Sequence, residues 1–116
     1  MLEPTDFEGK NAVDSYGPGF FRIAGKVFQG GVVVEGDRIQ QWQGLGDLDP
    51  LRALEGRVDV LFLGLGEQIG YAPRPLTALL EGLGIRVESM PSPTAARTYN
   101  VTLSEGRRVA CALLPL

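Results

Sequence analysis

The strongest constraint in this sequence is the segment Val58 to Leu63, apolar except for Asp59 and bounded by Gly64 and Gly66. A strand with one wet face alternates polar and apolar residues, so a near-continuous apolar run of this length predicts a central strand covered on both faces. The text downstream keeps the same rhythm. Pro75 opens a stretch with Leu76, Leu79, Leu80 and Leu83 at helical spacing, and Gly84 stands where a glycine ends a helix. Ile85 to Glu88 alternates as a short strand. Ser92-Pro93 then reads as an N-cap followed by proline at the first helical position, opening a helix that runs to about Glu105 and stops at Gly106. Arg108 to Leu114 predicts a last, buried strand ended by Pro115. Strand, helix, strand, helix, strand implies right-handed crossovers and a largely parallel core.

The first third reads differently. Phe20 to Ile23 and Lys26 to Phe28 flank a turn at Ala24-Gly25, and Val32 to Glu35 and Arg38 to Trp42 flank another at Gly36-Asp37, which predicts two antiparallel hairpins. Asp49-Pro50 resembles a cap and first-turn proline leading a short helix through Leu51 and Leu54 to Gly56. Residues 1–15 carry no such pattern and are expected to be loosely ordered or extended. With 116 residues, 44% of them hydrophobic and 22% charged, the chain suits one core and is short for two. The expectation is therefore a single layered α/β domain over 1–116, its mixed sheet formed by N-terminal antiparallel hairpins followed by β-α-β-α-β.

Composition narrows the chemistry. Net charge is −3, and of eleven Lys and Arg only Arg107 and Arg108 are adjacent, so no basic footprint for a phosphate backbone is present and nucleic acid is not an expected partner. No apolar run approaches the roughly 20 residues that span a bilayer. Glu3, Asp6 and Glu8 without an apolar run argue against a secretory or transit leader, which points to the cytoplasm. Cys111 is the only cysteine, so no internal disulfide forms. Without histidine the chain builds neither a Ser-His-Asp nor a Cys-His nucleophile, and no zinc site of the usual nitrogen and sulfur type. No catalytic residue, cofactor or metal site is expected from the residues, and the balance leans against an enzyme. Asp47 and Asp49 lack the spacing of a calcium loop and read as helix-capping groups.

Two segments retain functional interest. Gly64-Leu65-Gly66 follows a buried strand as in a dinucleotide fingerprint, but the third glycine would fall at Ile69, and Pro73 and Pro75 stand where the helix should already run. A tight turn is the better reading. In Thr94 to Asn100, helical geometry places Ala96, Tyr99, Asn100 and Leu103 on one inward face. A partly buried Asn100 amide needs hydrogen-bond partners, so it is expected to brace a neighbouring backbone loop. Arg97, Thr98 and Asn100 could instead line a ligand-binding cleft with Gly64 and Gly66 at the carboxyl ends of the parallel strands. Trp42 reads as a core anchor, Cys111 as a small buried hydrophobe, and Glu105 and Arg107 as solvated charges.

The run Met90 to Val109, with Ala95, Thr98-Tyr99-Asn100, Glu105 and Arg107, resembles a small family of unknown biochemical function. Phe21-Arg22-Ile23, Gly25, Gly31, Trp42 and Gly64-Leu65-Gly66 fit it too, so the resemblance covers nearly the whole chain. Ser92 stands where that family more often has threonine or aspartate, and Leu65 where it frequently has threonine. The resemblance implies a three-layer α/β domain with no established catalytic residues. It also implies kinship with a mitochondrial branch that assists assembly of respiratory complex I, and with many bacterial single-domain members. On that footing the expected function is a non-enzymatic protein-binding or assembly module, whose partner is another protein or a second copy. The alternative is a small-molecule or anion binder at the strand-end cleft.

Overall fold

A computed structural model describes residues 11–116, arranged as eight strands and three helices. The first hairpin gains a third strand: β1 (Val13–Gly17), β2 (Phe20–Ile23) and β3 (Lys26–Gln29) form an antiparallel sheet of their own. The second hairpin, β4 (Gly31–Glu35) and β5 (Arg38–Trp42), joins a five-stranded sheet with β6 (Val60–Gly64), β7 (Arg86–Met90) and β8 (Val109–Leu113). Its order is β5-β4-β8-β6-β7, with β8-β6-β7 parallel and β4 antiparallel to both neighbours. The middle strand is thus β8, and the apolar run at Val60 lies beside it, inside the sheet but not at its centre.

Side-chain alternation along these strands divides the core in two. Val32 and Val34 of β4, Val60 and Phe62 of β6, and Cys111 and Leu113 of β8 point to one face. Val33, Leu61, Leu63, Ala110 and Ala112 point to the other. Both faces are dry, because α3 (Ser92–Ser104) and the small sheet cover the first while α1 (Asp49–Arg52) and α2 (Arg74–Gly82) cover the second. A strand enclosed in this way has no polar side, which is why β6 and β8 read as continuous apolar text. The result is a three-layer mixed α/β architecture.

The helices end largely as the residues dictate, with two departures at their starts. α2 stops at Gly82, and Gly84 takes φ +82° just beyond the C-cap Leu83, a left-handed conformation that glycine adopts without steric cost. α1 begins one residue earlier than the cap reading, with Asp49 already helical and Leu48 at the N-cap. Asp47 folds the preceding loop instead: its carboxylate accepts the Gln43 N–H at 3.0 Å, and its carbonyl accepts the indole N–H of the buried Trp42 at 3.0 Å. α3 likewise has Pro91 at its N-cap, and Ser92 is the first helical residue. Its hydroxyl is engaged elsewhere.

Of the segment 1–15, residues 1–10 lie outside the described residues, while Val13 to Ser15 belong to β1. Strand β1 is irregular, its register against β2 shifting between Val13 and Ser15. Such a bulge breaks the period-two pattern by which a strand is recognised.

Candidate functional site

The three parallel strands end level with one another, Gly64 facing Met90 on one side and Leu113 on the other. In an open α/β sheet this is where a ligand crevice would lie. Here the first turn of α3 fills the space over Gly64. The Ser92 hydroxyl accepts the Gly66 N–H at 2.9 Å and donates to the Leu114 carbonyl at 2.7 Å. The Ser92 N–H donates to the Gly66 carbonyl at 2.8 Å, and Leu114 N–H to the Gly64 carbonyl at 3.0 Å. One buried serine thus ties the ends of β6 and β8 to α3. Gly64 makes the contact possible: a Cβ there would sit 2.6 Å from Ser92 Oγ, 2.7 Å from its Cα and 2.9 Å from Leu113 Cδ2.

Further along α3, the buried face carries the adjacent Ala95 and Ala96, then Tyr99 and Leu103 at steps of three or four residues. Small residues at 95 and 96 let the helix come close to β6 and β8. At the rim of this face the Tyr99 hydroxyl donates to the Asn11 carbonyl at 2.8 Å. Asn100 accepts the Val13 N–H at 2.9 Å and donates to the Val13 carbonyl at 2.8 Å. The amide braces backbone as its burial required, and the braced segment is strand β1 and its approach. Burial, helped by the neighbouring Cys111, pushes the Tyr99 phenol well above its ordinary range, and burial does the same to the Cys111 thiol. Both groups are neutral hydrogen-bonding or packing elements at physiological pH.

The five residues predicted to share a cleft are distributed over four places. Gly64 is buried beneath Ser92. Gly66 borders a depression of about 350 Å³ together with Glu67, Gln68, Leu114 and Pro115. Arg97 and Asn100 border a cavity of about 180 Å³ with Asp14, Ser15, Tyr16 and Ala96. Thr98 borders neither, and its carbonyl accepts the Thr102 hydroxyl at 2.8 Å. The geometry brings Arg97 and Asn100 together and sets the two glycines apart from them. In the Arg97 cavity, Asp14 is held by the Gly25 N–H at 2.9 Å, and Arg97 itself is exposed.

Sequence reasoning missed two features. Asp14, Ser15 and Tyr16 enter the Arg97 cavity only because β1 is pinned against α3. The second lies in the loop between β6 and α2, where Ile69 is 92% and Tyr71 96% exposed. Large apolar residues between Gly66 and Pro73, in a loop with no covering element, were the available signal. Among the described residues no three acidic, cysteine or histidine side chains gather as a metal site would need, and no helix is long and apolar enough to cross a membrane.

Known proteins place this architecture. An uncharacterised protein of Rhodobacter capsulatus is 51% identical over 110 residues, covering 95% of this chain and 89% of its own length. The NADH dehydrogenase [ubiquinone] 1 alpha subcomplex assembly factor 3 of Danio rerio is 32% identical over 108 residues. That match takes in 87% of this chain, which spans 62% of the longer relative. Among solved structures, one described as an outer membrane protein from Bartonella henselae superposes with a TM-score of 0.83 at 29% identity, covering 95% of this chain and 98% of that one. The family model described as protein of unknown function (DUF498/DUF598) matches residues 13–114, from the first residue of β1 to one residue past β8, and the chain belongs to that family.

Proposed function

We propose that this chain is a non-enzymatic protein-binding module that assists the assembly of a larger complex, acting in the cytoplasm. The observation that carries the reading is the Ile69 and Tyr71 pair, two large apolar side chains held almost fully in solvent on one loop. Exposed aromatic and aliphatic residues of this kind are the usual anchors of protein interfaces. Two further points support it. The polar groups best placed to handle a substrate, Ser92, Tyr99 and Asn100, are bonded to backbone inside the fold. A relative spanning most of this chain is named as an assembly factor for NADH dehydrogenase, so a respiratory-complex subunit is the first partner to examine.

The test is retention from a native-cell extract on the immobilised full chain, quantified by mass spectrometry. The reading expects a specific protein held in near-stoichiometric amount and lost when Ile69 and Tyr71 are both replaced by Asp. Absence of any such protein rejects it. Cell fractionation checks the location.

The cavity beside Arg97 favours a second reading, in which a small polar molecule or anion binds between α3 and β1 against Arg97 and Asn100, while Thr98 and the strand-end glycines Gly64 and Gly66 lie outside the lining. A metabolite thermal-shift screen decides it, since a ligand of the native state raises the unfolding temperature. No stabilisation by any metabolite, with Arg97→Ala behaving as wild type, ends this alternative.

A further inference from the structure

β7 is the outermost strand of the five-stranded sheet, and no described strand lies beyond it. The Arg86 N–H donates to the Asp59 carbonyl and the Met90 carbonyl accepts from Leu65, so both residues turn their backbone toward β6. By the alternation of a parallel ladder Glu88 does the same, and the N–H and C=O groups of Val87 and Ser89 face outward. Sheet edges are blunted by charged side chains, proline, a bulge or a covering loop. β7 has the charges Arg86 and Glu88 but neither proline nor bulge. The loop before α2 reaches it through the Ser89 hydroxyl, which accepts the Ala72 N–H at 3.2 Å, leaving the outward backbone of Val87 and Ser89 without a backbone partner among the described residues. The outward edge opens onto a groove of about 540 Å³ bordered by Val87, Ser89, Tyr71 and, from α2, Arg74 and Thr77. Arg86 and Glu88 alternate with the groove residues and so lie on the opposite face. Their side chains are 75% and 40% exposed and touch only at 3.6 Å.

We propose that β7 is the surface through which two copies of this chain associate, pairing antiparallel so that their sheets join into one. The occupant follows from charge. With a twofold axis at Val87, the outward backbone groups of Val87 meet those of the partner's Val87 as a hydrogen-bonded pair. Arg86 then falls directly opposite the partner's Glu88, and Glu88 opposite the partner's Arg86. Every other simple register loses this match: an axis at Glu88 sets carboxylate against carboxylate, and an in-register parallel pairing sets like against like at both positions. The Arg-x-Glu order is self-complementary in one of these arrangements only, and a second copy supplies that match on its own. This inference rests on the edge backbone and shares Tyr71 with the protein-binding reading, from which the charge exchanges at Arg86 and Glu88 separate it.

Sedimentation equilibrium of the purified full chain tests it, with circular dichroism and the unfolding midpoint as controls of fold. Wild type is expected to be dimeric. Val87→Pro should be monomeric with its fold kept, because proline at this position removes only an N–H that points away from β6. Arg86→Glu and Glu88→Arg should each weaken self-association roughly tenfold or more, and the double exchange R86E/E88R should restore it. If the proline variant fails to fold, the charge exchange alone decides. A wild-type chain that stays monomeric across the concentration range overturns the proposal, as does a dimer indifferent to the single charge reversals.

Discussion

Asn100 and Val13, 87 residues apart, are joined by a reciprocal pair of hydrogen bonds, the amide of one matching the backbone N–H and C=O of the other. No other side chain among the described residues holds a strand by both of its backbone groups. Because Val13 is only 5% exposed, water replaces these bonds poorly. Asn100→Ala is therefore expected to lower stability by about 1–3 kcal/mol, the cost of leaving buried donors and acceptors unpaired. A reduced urea midpoint checks the magnitude. Faster amide exchange at Val13 and its neighbours in β1, with β6 and β8 still protected, checks the location.

The close approach of Gly64 to Ser92 makes a second expectation. Gly64→Ala forces a methyl group into backbone and hydroxyl atoms under 3 Å away, and neither the strand end nor the helix start is free to yield. Overpacking of this kind costs about 1–3 kcal/mol. Ser92→Ala removes the hydroxyl but orphans the Gly66 N–H and the Leu114 carbonyl, at about the same cost. The two changes act on one contact, so their effects should fail to add. Trp42, the single tryptophan and fully packed, reports the unfolding by fluorescence.

Alkaline pH should erode the fold from a defined side. Burial raises the Cys111 thiol above its ordinary value of 9.0 and the Tyr99 phenol above 10.0, so the unfolded chain releases these protons first. The unfolded state then binds fewer protons than the native state, and stability must fall as pH rises. The loss starts near pH 9 with the thiol and steepens near pH 10 with the phenol, at about 1.4 kcal/mol per pH unit for each group. Cys111→Ala should delay the onset to about the phenol's range. Unfolding midpoints between pH 7 and 11 give the curve.

The same burial governs reactivity. With zero exposure and a suppressed thiolate, Cys111 should react with a neutral disulfide reagent only through opening of the fold. Its labelling rate should therefore track urea concentration as the unfolded population does. Rapid labelling of the native protein would contradict the packing of β8.

Much of this arrangement could be read from residues because local pattern and tertiary packing agree in the C-terminal half. The apolar runs of β6 and β8 announce strands covered on both faces, and the glycines at 84 and 106 end α2 and α3 as their positive φ values require. The Tyr99 and Asn100 face was legible for the same reason, since helical spacing alone turns it inward. What escaped were features set by distant partners. β1 has a bulge in place of clean alternation, and its anchor lies on a helix far along the chain. Ser92 looks like an N-cap locally, yet two backbone groups from Gly66 and Leu114 compete for its hydroxyl and prevail. Gly64 and Arg97 stand apart for a related reason: Ser92 covers Gly64, while Arg97 sits further along α3, beside β1.

Under the proposed function the polar side chains of α3 serve the fold, and partners dock elsewhere, on the loop bearing Ile69 and Tyr71. Partner retention by Asn100→Ala, measured well below its lowered unfolding midpoint, separates the two roles most directly. The expected variant is less stable yet retains the partner as wild type does. A variant with an unchanged midpoint that no longer holds the partner would contradict it.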